Sequence, residues 1–239
     1  MNGPDPDRTL LARFPDGLTR CAWAAGPHDD AQQYHDHEWG IESHDPRHIF
    51  ETLTLCGFAA GIRWANVYRK REGFRRAFRD YRLDDVAAMT DADVDALMQD
   101  TSIIRNRRKI EATIGNARAA LALDRPLHEL VWDHAPHEHR APRGAADFVS
   151  SSAEAAALAR ALKSAGFVWV GPSSVYAFMQ TVGIVNDHVA GCFRAGTVQP
   201  RRTTGVHAVL GSGSAVDNGA PDPLSSTRVS CRTRSSCAS

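Results

Sequence analysis

The sequence has 239 residues, of which 43 % are hydrophobic and 23 % charged, a composition typical of a globular protein that excludes a fibrous one. Its 28 basic residues balance its 28 acidic residues, so the overall charge indicates no polyanionic partner. The sequence contains no apolar run long enough to span a membrane, and its first residues lack the basic and then apolar order of a secretory signal. We therefore expect a cytoplasmic protein that makes no membrane contact.

The composition changes along the chain and predicts three parts. Residues 1–19 are rich in Pro, Asp and Arg without a clear period, which indicates a loose leader. Residues 197–239 contain no aromatic residue and accumulate Ser, Thr, Gly and Pro, so we expect a low-complexity, disordered tail. The folded unit is then 20–196. Because the tail holds five basic and two acidic residues, 23 basic and 26 acidic residues remain in 1–196, and any nucleic-acid surface must be local.

Apolar residues recur at helical spacing through most of the predicted folded unit. Three buried helix faces are predicted, in chain order: Ile49, Phe50, Leu53, Cys56 and Ala60; Ile110, Ile114, Ala117 and Leu121; and Val175, Phe178, Met179 and Val182. The sequence offers no convincing strand and no solenoid repeat. We predict an all-α bundle of about seven or eight helices, from typical helix and loop lengths.

Two of the predicted helices begin at capping sequences. Thr90 stands three residues before Asp93 and is a candidate N-cap. Ser151 and Glu154 have the spacing of a capping box, and the helix that they begin is predicted to close at Gly166.

The cysteines are odd in number and far apart, which favours reduced thiols or metal ligands over a disulfide framework: Cys21, Cys56, Cys192, Cys231 and Cys237. In "VNDHVAGC", His188 and Cys192 are four residues apart, and in a helix their side chains would share a face and supply half of a tetrahedral metal site. Cys21 and, fourteen residues later, His35 are candidates for the other half. Spacing alone does not choose His35 over its neighbours His28, His37, His44 and His48, and on spacing alone a buried cysteine near a surface histidine is the favoured interpretation.

Several long, collinear stretches resemble one family. They are "RCAW", "YHDHEWG", "FETLTL", "YRKREGFRRAF", "LMQDTSIIRNRRKIEATIGNARA" and "LKSAGFVWVGPSSVYAFMQTVGIVNDHVAGC". Together they cover most of 20–196 and are similar to the 3-methyladenine DNA glycosylase I family of helix-hairpin-helix base-excision enzymes. The resemblance implies a monomer that flips an alkylated purine out of damaged double-stranded DNA and hydrolyses its N-glycosidic bond.

The resemblance also implies a metal site. In that family a zinc ion joins the N-terminal arm to the C-terminal segment through two cysteines and two histidines, and the pattern falls on Cys21, His35, His188 and Cys192. Four protein ligands leave no open position for water, so the implied zinc is structural.

Two basic runs are candidates for contact with DNA. In the first, six of the eleven residues from 69 to 79 are Lys or Arg, which fits either a solvated helix face or a DNA surface. In the second, the resemblance places the hairpin turn at "QDTSIIRN", where backbone N–H groups bind phosphate and three arginines add charge: Arg105, Arg107 and Arg108. The family has Gly where this chain has Ser102, so the backbone contact at that turn is expected to be weaker.

The resemblance assigns the pocket for the flipped base to Trp23, Tyr34 and Trp64. Trp39 stands nearby in "EWG", where an ordinary core position is the competing interpretation. A 3-methylated adenine is cationic, so stacking on electron-rich rings favours it over neutral adenine. Its glycosidic bond is already labile, and the family relies on pocket binding and a positioned water instead of a catalytic aspartate.

The pocket departs from the family at the residues that read the base. The family glutamate that accepts hydrogen bonds from the base edge corresponds to Cys56, which is thereby the candidate catalytic position. A family glutamine corresponds to Ala59 and a family tyrosine to Ala31. Burial on an apolar helix face argues against Cys56 as a nucleophile.

Two interpretations from different classes follow from these departures. One is a glycosylase with an altered pocket and reduced or changed activity, and the other is a zinc-containing DNA-binding homologue that does not cleave. A zinc-finger-like transcription module is disfavoured, because the candidate ligands lie more than 150 residues apart.

Overall fold

The computed structural model of the chain describes residues 9–26 and 29–196. The predicted tail, 197–239, the first eight residues of the predicted leader and the candidate ligand His28 lie outside the described residues. None of the helices in the described ranges is long and apolar enough to cross a membrane.

The described residues contain ten α-helices, which confirms the predicted helical class. The count exceeds the predicted seven or eight because α3, α5 and α8 have only five or six residues, too few to show a period. Their bounds are α1 Asp29–His37, α2 Pro46–Ala59, α3 Trp64–Tyr68, α4 Arg71–Ala77, α5 Leu83–Ala87, α6 Asp91–Leu97, α7 Arg107–Leu121, α8 Leu127–Trp132, α9 Ala153–Ser164 and α10 Pro172–Thr181. Three short 3-10 helices are Ala22–Ala24, Arg79–Tyr81 and Ala145–Asp147.

A small antiparallel hairpin precedes the helices, where the sequence predicted a loose leader and no sheet. Its strands are β1, Leu11–Arg13, and β2, Thr19–Cys21. At the turn the N–H of Gly17, which has a φ of +82°, donates to the carbonyl of Phe14. Three-residue strands are too short to show the alternation by which a strand is recognised, so the prediction is wrong for this stretch. The hairpin fixes Cys21 at the end of β2.

Helix α2 is the centre of the main core. Every residue from Ile49 to Phe58 is buried, so the helix is surrounded on all sides. Helix α10 packs against α2, and α9 packs against α10. Of the predicted buried faces, only Ala60 and Leu121 fail: Ala60 is half-buried just after the helix end, and Leu121 is exposed at the last turn of α7.

The predicted helix caps are confirmed at one helix and displaced at the other. The backbone N–H of Thr90 donates to the carboxylate of Asp93, and the two residues form a capping box. Helix α9 is instead capped by Ser152, whose hydroxyl accepts from the N–H of Ala155 at 3.1 Å. The prediction of Ser151 as the cap is therefore wrong by one residue. The helix ends just before Gly166, which has a φ of +91°, as predicted.

Candidate functional site

Four buried side chains from distant parts of the chain meet in one cluster. Cys21 ends β2, His35 lies in α1, and His188 and Cys192 follow α10. Their candidate ligand atoms all lie within 4.8 Å of one another, so this group could hold a metal ion. The segment that carries His188 and Cys192 is not helical, contrary to the condition assumed from their spacing, yet both side chains reach the cluster.

Short distances join the donor atoms of this cluster. Nδ1 of His188 lies 3.6 Å from the sulfur of Cys21, 3.6 Å from the sulfur of Cys192 and 3.2 Å from Nε2 of His35. The sulfur of Cys192 lies 3.4 Å from Nε2 of His35. Nδ1 of His188 therefore lies at contact distance from all three of the other atoms, and the sulfur of Cys192 and Nε2 of His35 each contact two.

The outer contacts of the two histidines fix their tautomers. Nδ1 of His35 is 2.8 Å from the carboxylate of Asp36, and Nε2 of His188 is 3.0 Å from the carbonyl oxygen of Trp39. Both partners only accept hydrogen bonds, so these outer nitrogens carry the protons and the inner nitrogens present lone pairs. Arg20 in turn holds Asp36 with hydrogen bonds of 2.8–3.0 Å. The two inner lone pairs face each other at 3.2 Å, an arrangement that either a proton on one ring or a bound metal ion relieves.

Backbone donors and a shared proton act on the two sulfurs. The N–H groups of Val189 and Arg194 donate to the sulfurs of Cys21 and Cys192, respectively. The hydrogen bond between the two thiols is the largest effect on both: it lowers the pKa of Cys192 and raises the pKa of Cys21. This hydrogen bond therefore favours the thiolate form of Cys192.

A pocket of about 480 Å³ lies beside this cluster. The structure brings together the predicted residues Trp23, Tyr34, Trp64 and Cys56 in its lining. Four aromatic rings, five apolar residues and four polar residues line it: Trp23, Tyr34, Trp39 and Trp64; Cys56, Ala59, Ala60, Ile62 and Ala177; and Ser173, Ser174, Gln180 and Thr181. Ala31 is not among them.

The aromatic rings form a connected wall from the pocket to the cluster. The ring of Tyr34 lies 5.5 Å from that of Trp64 and 6.2 Å from that of Trp23. Trp39 meets Trp23 edge to face at 5.1 Å and His188 at 4.6 Å. Trp39 therefore lines the pocket and also packs against His188 of the cluster. The competing interpretation was an ordinary core position. Trp23 is 43 % exposed and stands at the mouth.

The groups inside the pocket are neutral. The hydroxyl of Thr181 donates to the carbonyl oxygen of Ala177 at 3.0 Å, so the hydroxyl of Tyr34, at 2.8 Å, donates to Thr181. Burial raises the pKa of Tyr34 well above its ordinary value and raises the pKa of Cys56 to about 12. Cys56 is therefore a thiol at neutral pH, the less nucleophilic of its two forms. Among the described residues that line the pocket there is no carboxylate and no histidine.

The sequence interpretation missed one wall of the pocket, which belongs to α10. Ser173, Ser174, Ala177, Gln180 and Thr181 are spaced as one helix face, opposite the apolar face of the same helix. The sequence did contain a signal for this part of the pocket: α10 has small and polar residues on the face opposite its buried apolar face.

Most basic side chains of the first run, residues 69–79, form hydrogen bonds or ion pairs with other parts of the protein. Five of its six basic residues have partners: Arg69 with Asn66, Lys70 with Thr101, Arg71 with Glu38, Arg75 with Glu51, and Arg79 with Asp93. Only Arg76 has no ion pair or hydrogen bond within the described residues. Because these side chains already have internal partners, the contacts favour a solvated helix face over a DNA-binding surface for residues 69–79.

The second basic run follows the turn between α6 and α7. Helix α4 packs closely on this turn, because a Cβ on Gly73 would overlap the carbonyl of Ser102. The N–H of Ser102 donates to the carboxylate of Asp100 at 2.7 Å, so the structure gives this amide an internal partner. The side chain of Asn106 caps α7 by accepting from the N–H of Lys109 at 3.2 Å.

The three arginines of the second run differ in their partners. Arg107 forms ion pairs with Asp95 and Glu111. Arg105 and Arg108 are exposed and have no ion pair in the part of the chain that the structure describes. Arg105 and Arg108 are therefore the better candidates for an external anion, and Arg107 is the weaker one.

Comparison with known proteins gives matches over most of the chain. The family model described as methyladenine glycosylase matches residues 23–195. The chain is 40 % identical over 181 residues to DNA-3-methyladenine glycosylase 1 of Escherichia coli (strain K12), a match that covers 73 % of this chain and 96 % of that protein. It is 38 % identical over 180 residues to DNA-3-methyladenine glycosylase of Haemophilus influenzae, with the same two coverages of 73 % and 96 %.

Solved structures match the fold as well. A crystal structure of 3-methyladenine DNA glycosylase I superposes with a TM-score of 0.69 at 40 % identity and covers 73 % of this chain and 98 % of that one. A structure that concerns 3-methyladenine recognition by 3-methyladenine DNA glycosylase I from Staphylococcus aureus superposes with a TM-score of 0.70 at 27 % identity, over 74 % of this chain and 97 % of that one.

Proposed function

The chain belongs to the methyladenine glycosylase family, and we propose that it hydrolyses the N-glycosidic bond of 3-methyladenine in damaged double-stranded DNA. The observation that carries this proposal is the aromatic pocket that Trp23, Tyr34, Trp39 and Trp64 line. An enzyme that acts on a base inside a duplex extrudes the nucleotide and stacks the base between such rings. One chain supplies every described lining residue of the pocket, so the proposed activity needs no partner subunit.

Because the pocket is neutral, it suits only a base whose glycosidic bond breaks without a general acid or base from the protein. With no carboxylate or histidine among the described lining residues, the pocket supplies no strong general acid or base. N3-methylation places a positive charge on adenine, so the electrons of the bond between the sugar carbon and the base nitrogen leave with the base and neutralise it. A water oxygen then bonds to the sugar carbon and loses a proton to solvent. The rings of Trp64 and Tyr34 favour the cationic base and hold it outside the duplex.

A base-release assay tests this function. DNA methylated at random is incubated with the protein, and the released bases are separated by chromatography while duplex binding is measured in parallel. We expect release of 3-methyladenine, slower than with a relative that has glutamate at the position of Cys56. Binding without release would favour the alternative, a DNA-binding homologue that does not cleave, for which Cys56 and Ala59 in the pocket are the supporting observation.

We infer that the cluster of two cysteines and two histidines binds a structural zinc ion. Zinc bonds of about 2.3 Å to sulfur and about 2.0–2.1 Å to nitrogen, at tetrahedral angles, give edges of about 3.5 Å between sulfur and nitrogen and about 3.3 Å between nitrogens. The observed values of 3.4–3.6 Å and 3.2 Å fit those edges. The carboxylate of Asp36 behind His35 and the carbonyl of Trp39 behind His188 are the partners that metal-bound histidines usually have. With four protein ligands, the ion would join the hairpin and α1 to the segment after α10.

We also propose that the turn between α6 and α7 is a helix-hairpin-helix element that binds a DNA phosphate. Within the described residues, the backbone N–H groups of Ile103, Ile104 and Arg105 have no intramolecular acceptor, which leaves them for a phosphate. Arg105 and Arg108 add positive charge at the same place. Such contacts position a duplex without reading its sequence.

Removal of these two arginines should flatten the salt dependence of DNA binding. Each phosphate contact contributes about 0.9 to the log–log salt slope on duplex DNA, so Arg105→Ala with Arg108→Ala should reduce the slope by up to about 1.8. The measurement is duplex affinity by fluorescence anisotropy across a series of salt concentrations. Arg107→Ala is the matched control and should change the slope less, because Asp95 and Glu111 already neutralise this arginine. An unchanged slope in the double variant would move the DNA surface elsewhere, with Arg76 as the next candidate.

A further inference from the structure

A buried carboxylate behind the pocket gathers three donors. Asp187 is 5 % exposed, and its carboxylate accepts from the hydroxyl of Tyr176 at 2.7 Å and from Nε2 of Gln180 at 2.6 Å. Nε2 of His139 lies 2.9 Å from its other oxygen. Of these three donors, only Gln180 also lines the pocket.

This contact fixes the orientation of the Gln180 amide. A carboxylate only accepts hydrogen bonds, so the amide nitrogen of Gln180 must face Asp187 and the amide oxygen Oε1 must face away from it. The backbone is held too, because the carbonyl of Gln180 accepts from the N–H of Gly40 at 2.9 Å. Because Gln180 also lines the pocket, Oε1 is the atom of its amide that remains able to accept a hydrogen bond from a bound molecule.

None of the other polar side chains at the pocket is a strong acceptor with a fixed orientation. Ser173 and Ser174 have hydroxyls that both donate and accept, and Thr181 is already bonded to Tyr34 and Ala177. The thiol of Cys56 is only a weak donor and acceptor. The indole N–H of Trp64, which is buried without a partner, can only donate. Oε1 of Gln180 is thus the strong, oriented acceptor among the described lining residues.

We propose that Gln180 reads the edge of the flipped base and that Asp187 is its positioning residue. The proposal rests on the function proposed above. Adenine presents the hydrogens of its exocyclic amine at this edge, whereas guanine presents the acceptor O6 in the same place. Oε1 of Gln180 accepts from the amine of an adenine lesion and opposes O6 of a guanine lesion. The pocket therefore favours 3-methyladenine over 3-methylguanine although the family's glutamate is replaced by Cys56.

The test compares the release of the two bases from the same methylated DNA. The ratio of 3-methyladenine to 3-methylguanine release is measured for the wild type, for Gln180→Met, which keeps the length of the side chain without its amide, and for Asp187→Ala. We expect both variants to lower the ratio by about tenfold, the effect of one hydrogen bond with a preferred partner. In the double variant Asp187→Ala should lower it no further, because Asp187 acts through Gln180. Tyr176→Phe, which removes a different bond to Asp187, is the matched control and should preserve the ratio.

A second measurement separates this proposal from the proposed function. Binding of free 3-methyladenine and 3-methylguanine is followed by tryptophan fluorescence on folded samples with verified metal content, since Asp187 precedes His188. Brisk release by the wild type with the same ratio in Gln180→Met overturns the role of Gln180 and leaves the function intact. If the wild type releases neither base but still prefers to bind 3-methyladenine, and this preference is lost in Gln180→Met, the proposed hydrolysis is overturned. The role of Gln180 in recognising the base is then supported. If the wild type binds the two bases equally and releases them equally, the proposed role of Gln180 in distinguishing them is overturned.

Discussion

Replacement of Cys21 or His188 by alanine is expected to remove the bound metal and to lower the melting temperature. The wild type should contain about one zinc per chain, because four deprotonated ligands in a closed shell bind zinc tightly. The ion would connect residues that lie up to 171 positions apart, and a clip across so long a stretch restricts the unfolded chain strongly. A loss of about 3 kcal/mol corresponds to a decrease of about 6–12 °C for a domain of this size. Elemental analysis and thermal unfolding are the measurements.

The chain provides a matched control for this result. Cys56 is buried like Cys21 but lies in α2, outside the cluster, so Cys56→Ala makes the same chemical change without removing a ligand. This variant should retain its zinc. A wild-type preparation that is well folded and free of metal would contradict the proposed zinc site.

The sequence predicts the helices of this fold better than its short elements. The apolar spacing of Ile49, Phe50, Leu53 and Cys56 predicts α2, because a long helix in a core repeats its period several times. The hairpin at Leu11–Arg13 and Thr19–Cys21 has no such repetition. Its stability depends on contacts that the local sequence does not reveal, including the ion pair between Arg20 and Asp36 across sixteen residues.

The cluster and the pocket show a different limit. Residue spacing identifies His188 and Cys192 as a pair but does not select His35 among its neighbours; only family resemblance selects it. In the structure the choice has a physical reason, because His35 points inward with Asp36 behind it whereas His44 is exposed and pairs with Glu42. For the pocket, family resemblance identified the aromatic residues. The lining residues of α10 were not predicted, because their position at the pocket depends on how the helices pack against one another.

Replacement of Cys56 by glutamate is expected to accelerate the release of 3-methyladenine. Cys56 is 3 % exposed and lines the pocket, where its neutral thiol contributes no charge toward a cationic base. A carboxylate there would form a charge-assisted hydrogen bond of roughly 2–3 kcal/mol, which corresponds to about 30- to 150-fold in rate if the contact is made fully in the transition state. Ala59 also lines the pocket and, being small, leaves space for the longer side chain. Single-turnover release from methylated DNA measures the effect.

Two further substitutions at the same position separate charge from hydrogen bonding. Cys56→Gln has the size of the glutamate and an acceptor but no charge, so its gain should be smaller than that of Cys56→Glu. Cys56→Ala removes the thiol and should produce no gain. Zinc content and duplex affinity should remain unchanged in all three variants, because Cys56 lies outside both the metal cluster and the turn between α6 and α7.

The gain in rate should carry a cost in stability, which distinguishes charge in the pocket from better packing. A carboxylate at the position of Cys56 is removed from water, and among the described lining residues no cation offsets that loss until the methylated base binds. We therefore expect Cys56→Glu to lower the melting temperature of the free protein and Cys56→Gln to lower it less, while added 3-methyladenine stabilises Cys56→Glu more than the wild type. If the wild type releases the base rapidly and Cys56→Glu changes neither rate nor stability, Cys56 is not where the lesion is read, and Gln180 alone would carry that role.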